Sequence, residues 1–86
     1  MKKFTYLINK EFAMHFGPAG RLAEIARCYP DSTAIIEMGN RSANISRPMK
    51  VATMGIRKGD QVTVSADGPS ENELLDVLYQ YFEGAM

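Results

Sequence analysis

The 86-residue chain has no tryptophan, one cysteine and one histidine. With Cys28 alone, an internal disulfide is excluded, and one cysteine beside one histidine leaves no ligand set for structural zinc. A reducing, cytoplasmic setting is therefore expected. No run approaches the roughly 20 apolar residues of a membrane-spanning helix. The N-terminal MKKFTYLINKEF also lacks the continuous apolar block of a signal peptide. The formal net charge is zero, whereas nucleic-acid binding calls for a clear basic excess. Neither nucleic acid nor membrane insertion is expected. At this length a second hydrophobic core does not fit, so residues 1–86 read as one domain.

What is present is a neutral chain of uneven charge. Every Lys and Arg lies between Lys2 and Lys58, while Asp60, Asp67, Glu71, Glu73, Asp76 and Glu83 follow with no compensating base. This predicts a basic side and an acidic side, the former suited to an acidic partner.

Alternation in Phe4-Thr5-Tyr6-Leu7-Ile8 predicts a first strand. From Pro18 the period becomes helical, with Ala19, Leu22, Ala26 and Tyr29 on one stripe and Pro30 as the stop. Thr33–Met38 and Arg41–Ile45, parted by Gly39-Asn40, read as a hairpin. A short helix over Met49–Met54 follows Pro48 and ends at Gly55, and Gln61–Ala66 is the fourth strand. Ser70 with Glu73 makes a capping-box pattern before the stripe of Leu74, Leu78 and Tyr81. The order β-α-β-β-α-β-α predicts an α+β fold, with the apolar stripes of three helices buried on one face of a four-stranded antiparallel sheet.

The one histidine, His15, stands directly before the first helix. Local spacing supplies neither the metal cluster nor the nucleophile and orienting carboxylate of a hydrolase, which leaves the imidazole as a nucleophile itself. The first-turn N–H groups of a helix suit an anion such as phosphate, and the same positive end keeps the ring neutral and nucleophilic. On periodicity alone, a histidine in this place reads as a capping or surface residue.

His15-Phe16-Gly17-Pro18-Ala19, with Leu22 and Ala26, resembles the His-x-Arg-Pro-Ala signature of HPr, the histidine-containing phosphocarrier family of the bacterial sugar phosphotransferase system. Met54-Gly55-Ile56-Arg57-Lys58-Gly59 is similar to the family's Leu-Gly-x-x-x-Gly segment. Val62–Gly68 is similar to its last strand and turn, and Glu71 to the acidic start of its last helix. The resemblance runs from about Phe4 to Phe82 and implies an open-faced β-sandwich. It also implies a monomeric carrier without metal or cofactor, in which enzyme I phosphorylates His15 at Nδ1 and His15 passes the group to enzyme IIA domains. The backbone N–H groups of Phe16 and Gly17 would hold the phosphate. Phe12, Phe16, Gly20, Arg21, Glu24, Arg27, Arg47, Pro48, Met49 and Lys50 would meet partners, with a kinase or transcriptional regulator as further candidates.

Three departures bear on that reading. The family's active-site arginine is replaced by Gly17. An Arg–phosphate bond is worth roughly 1.5–3 kcal/mol, so its uncompensated loss costs on the order of 10- to 100-fold. A regulatory or protein-binding relative with weak phosphotransfer is thus the alternative function. Second, alignment backward from Gly55 puts Arg47, not Ser46, on the family's regulatory serine, so Ser46 is expected to be the N-cap of the short helix. Arg47 is then the candidate to replace the missing arginine. Third, Phe12 and Phe16 change the surface beside the histidine. Met14, Met49 and Met54 are candidates for an adaptable docking surface, with core filling the other reading of Met54, and Cys28 reads as a partly buried helix residue.

Overall fold

The computed structural model describes residues 2–9 and 16–84. Its elements are β1 (Lys2–Leu7), α1 (Phe16–Arg27), β2 (Thr33–Met38), β3 (Arg41–Asn44), α2 (Pro48–Ala52), β4 (Gln61–Asp67) and α3 (Glu71–Gly84). The strands form one antiparallel sheet in the order β1-β4-β2-β3. This is the expected α+β, open-faced arrangement.

One face of the sheet is built from alternate residues. Tyr6, Ile36, Val62, Val64 and Ala66 point into the core and are buried, while Thr5, Glu37, Thr63 and Ser65 lie on the opposite face. Against the inner face pack Ala19, Leu22 and Ala26 of α1, Val51 of α2, and Leu74, Leu78 and Phe82 of α3. Helical spacing places each set on one stripe, and that stripe is what the sheet removes from water. Phe4, Tyr6, Tyr79 and Phe82 meet edge-on or tilted, with ring centroids 5.2–6.1 Å apart, and tie α3 to β1.

Turn chemistry sets the connections. Met38 pairs with Arg41 across Gly39-Asn40, and Gly39 takes φ +63°, the positive value that a two-residue hairpin with glycine first requires. Gly68 is more constrained, with φ +138° and room for no side chain: a Cβ there would lie 2.5 Å from Ser32 Oγ and 2.6 Å from the Asp31 carbonyl.

Several boundaries differ from the sequence reading. The first helix ends at Arg27, because residues approaching Pro30 are driven out of the α region, and Tyr29 N–H bonds to the Ala26 carbonyl in a tighter turn. Cys28, expected to be partly buried in the helix, is therefore exposed just beyond it. Met54 belongs to the core. At the start of α3 the back-reaching carboxylate is Glu71, which accepts from Gly68 N–H at 3.1 Å. Glu73, the expected capping-box partner, accepts from the Tyr29 hydroxyl at 3.4 Å instead, and Ser70 Oγ donates to Asp31 at 3.2 Å.

Candidate functional site

The site candidates fall on the first turn of α1 and on the segment that leads into α2. Phe16 is the first residue of α1, and its first turn carries no acidic residue. Pro18 has no N–H to offer, so the amides nearest His15 in the chain are those of Phe16 and Gly17. His15, Phe12 and Met14 themselves lie outside the described residues.

The approach to α2 is built by two side chains from other elements. Asn44, at the end of β3, receives both Ser46 N–H at 2.9 Å and Ser46 Oγ–H at 2.7 Å on its Oδ1. This is an Asx-type turn, and it ends the strand one residue before Ile45. Arg27, in the last turn of α1, donates from Nη2 to the Ser46 carbonyl at 3.0 Å. Ser46 is thus half-buried, with its hydroxyl, amide and carbonyl all engaged.

Ser46 was the expected N-cap of the short helix, and the structure corrects this. The N-cap is Arg47, with φ −113° and ψ 88° and no side-chain capping bond, and Pro48 occupies the first helical position. Because the helix begins at Pro48, Ser46 stands one residue before the cap position, where its amide and hydroxyl are drawn into the turn with Asn44. Arg47 is exposed at the threshold of α2.

Arg27, Arg47, Pro48, Met49 and Lys50 line one open cleft of about 630 Å³ together with Ser46 and Thr53. Among the described residues three cations and no acid border it, and Met49, 64% exposed, stands beside them. Thr53, whose hydroxyl donates to the Lys50 carbonyl at 2.9 Å, was not among the sequence candidates. Nor was Asn44, although Asn-x-Ser before a proline-started helix carries a readable Asx-turn signal.

Other candidates lie apart from the cleft lining. Arg21 and Glu24 are exposed on α1 and pair with each other at 3.5 Å, and Gly20 is half-buried on the same helix. The expected division into basic and acidic sides holds at α2 and fails at β1. There Lys2 and Lys3 share a cleft with Glu73 and Asp76.

The sequence model of the family described as "PTS HPr component phosphorylation site" matches residues 2–84. A phosphocarrier protein HPr of Mycoplasma genitalium is 32% identical over 78 residues, covering 91% of this chain and 89% of the relative. That of Mycoplasma capricolum is 29% identical over 80 residues, covering 93% and 89%. Among solved structures, HPr-C-His from Thermoanaerobacter tengcongensis superposes with a TM-score of 0.87 at 28% identity, covering 96% of this chain and 92% of that one.

Proposed function

This chain belongs to the HPr phosphocarrier family, and we propose that it accepts a phosphoryl group on His15 from phosphorylated enzyme I and passes it to enzyme IIA domains in the cytoplasm. In each transfer the bond from phosphorus to the donor atom breaks as the bond to the acceptor atom forms, so the phosphoryl group is not released to water. The observation that carries the reading is the start of α1. The first helical residue follows His15 directly, and its first turn holds no carboxylate to compete with phosphate.

The cleft at α2 supports the partner class. Arg27, Arg47 and Lys50 around Pro48 and Met49 suit a surface with acids around an apolar centre, and such complementarity speeds encounter more than it adds affinity. Ser46 is not a ready substrate for a kinase in this reading, because its hydroxyl is already donated to Asn44.

Gly17 favours a second reading, a regulatory or protein-binding relative that keeps the fold and the cleft but transfers phosphate weakly. In the carrier reading, Arg47 takes over part of the missing arginine's work, with the helix amides supplying the rest. Hydrolysis of the isolated phosphoprotein separates Arg47's phosphate role from docking, since no partner is present. Arg47→Ala should change the lifetime of phospho-His15, and Gly17→Arg should diminish that effect. An unchanged lifetime beside slower transfer from enzyme I would make Arg47 a docking residue only.

A further inference from the structure

Met38, Met49 and Met54 fall among the described residues, and their surroundings differ. Met54 is 4% exposed and belongs to the core. Met38, at the end of β2, is partly buried and packs against that core. Met49, the second residue of α2, is the most exposed large apolar side chain described. Oxidation of a thioether requires an oxidant to reach a sulfur lone pair, so exposure sets the order in which the three react.

A single exposed apolar residue is ordinary at most surface positions. Met49 stands out by its place, since with Pro48 it forms the apolar centre of the cleft bordered by Arg27, Arg47 and Lys50. Its backbone is held independently of its side chain. The Met49 carbonyl accepts from Thr53 N–H at 3.1 Å, and the buried Val51 anchors the helix to the core. The sulfur can therefore change its chemistry while α2 keeps its position.

Building on the reading of this cleft as the face that meets enzyme I, we propose that Met49 is a reversible oxidation site, where a peroxide converts the thioether to the sulfoxide and so weakens docking. A sulfur lone pair attacks one peroxide oxygen, and an S–O bond forms as the O–O bond breaks. The sulfur loses two electrons and the peroxide gains them. The proton on the transferred oxygen passes to the departing oxygen, which leaves as water from hydrogen peroxide or as an alcohol from an organic hydroperoxide. The cations lining the cleft favour the negative charge that develops on that departing oxygen. The product is polar where the cleft was apolar. Its oxygen must shed water to enter the interface, and a partner surface of acids around an apolar centre has no donor to offer it. Any bordering cation that turns to the sulfoxide is withdrawn from the partner's acids. Reduction by a thiol-dependent methionine sulfoxide reductase reverses the change, the oxygen leaving as water while two thiols become a disulfide.

The test treats the protein with dilute hydrogen peroxide, then with a thiol reductant that reverses disulfide or sulfenic acid formation at the exposed Cys28 but leaves sulfoxide in place. Peptide mapping by mass spectrometry should find Met49 oxidised ahead of Met38 and about tenfold or more faster than Met54. Calorimetric titration with enzyme I should then show binding weakened about tenfold or more, with the unfolding midpoint nearly unchanged, and methionine sulfoxide reductase should restore the affinity. In Met49→Leu, whatever affinity is found before peroxide should persist after it, which separates Met49 from every other oxidisable residue. Oxidation of Met38 or Met54 ahead of Met49, undiminished binding by the Met49 sulfoxide, or an equal loss in Met49→Leu would each overturn the proposal while leaving the carrier reading intact. An unmodified protein that binds no enzyme I would bring down the carrier reading and the oxidation switch with it.

Discussion

The two long helices begin in opposite ways. α3 starts with Glu71 and Glu73 in its first turn, Glu71 accepting from Gly68 N–H, Ser70 Oγ donating to Asp31, and Ser70 N–H donating to Ser32 Oγ at 2.9 Å. α1 starts with Phe16-Gly17-Pro18-Ala19 and no acid at all. Both starts present the positive end of a helix. At α3 the protein's own oxygens occupy it, and the result is a locked corner. At α1 no carboxylate of the first turn does, and that is the condition for holding an outside phosphate.

The locked corner breaks most severely at Gly68. Gly68→Ala forces a Cβ into Ser32 and the Asp31 backbone at an unfavourable φ, so chemical denaturation should show a loss of about 2–4 kcal/mol. A loss within the scatter of a surface substitution would mean that the Asp31–Ser32 loop yields easily and the corner is not locked.

Making the α1 start resemble that of α3 should cost function rather than stability. Gly17→Asp places a carboxylate where phosphate is proposed to sit, and phosphoryl uptake should fall by about tenfold or more, with the unfolding midpoint nearly unchanged. Uptake at the wild-type rate would show that the first-turn amides do not hold the phosphate.

The smallest expected effect lies in the acid limb of stability. The bond from Gly68 N–H is the main reason that the Glu71 carboxyl sits below its ordinary value, with the Lys2 charge a lesser contributor. A carboxyl held low in the folded state adds stability above its unfolded pKa and loses it as pH falls through the folded value. Thermal unfolding of Glu71→Gln should therefore depend less on pH through the acid range than that of the wild type. Parallel profiles would assign the acid limb to other groups.

Much of the fold was legible because periodicity and turn chemistry agreed. Thr33–Met38, Gly39-Asn40 and the stripe of Leu74 and Leu78 each carry one reading, and each appears as read. What escaped were choices among polar partners that only tertiary contact decides. The sequence shows Ser70 three residues before Glu73, but it cannot show that the chain brings the Tyr29 hydroxyl to Glu73 and Asp31 to Ser70. Ser46 was misread as a cap because the turn with Asn44 holds it one residue before the cap position, which Arg47 takes. Arg27 was legible as an exposed cation, and its bond to the Ser46 carbonyl, which joins α1 to the approach of α2, was not.

The proposed function turns on His15, directly before α1 in the chain, carrying a phosphoryl group. Intact mass after incubation with phosphoenolpyruvate and the cognate enzyme I tests it most directly. The expected result is an increase of one phosphoryl group that is lost in acid and absent from His15→Ala. No adduct with a competent cognate donor, or an adduct retained by His15→Ala, would contradict it.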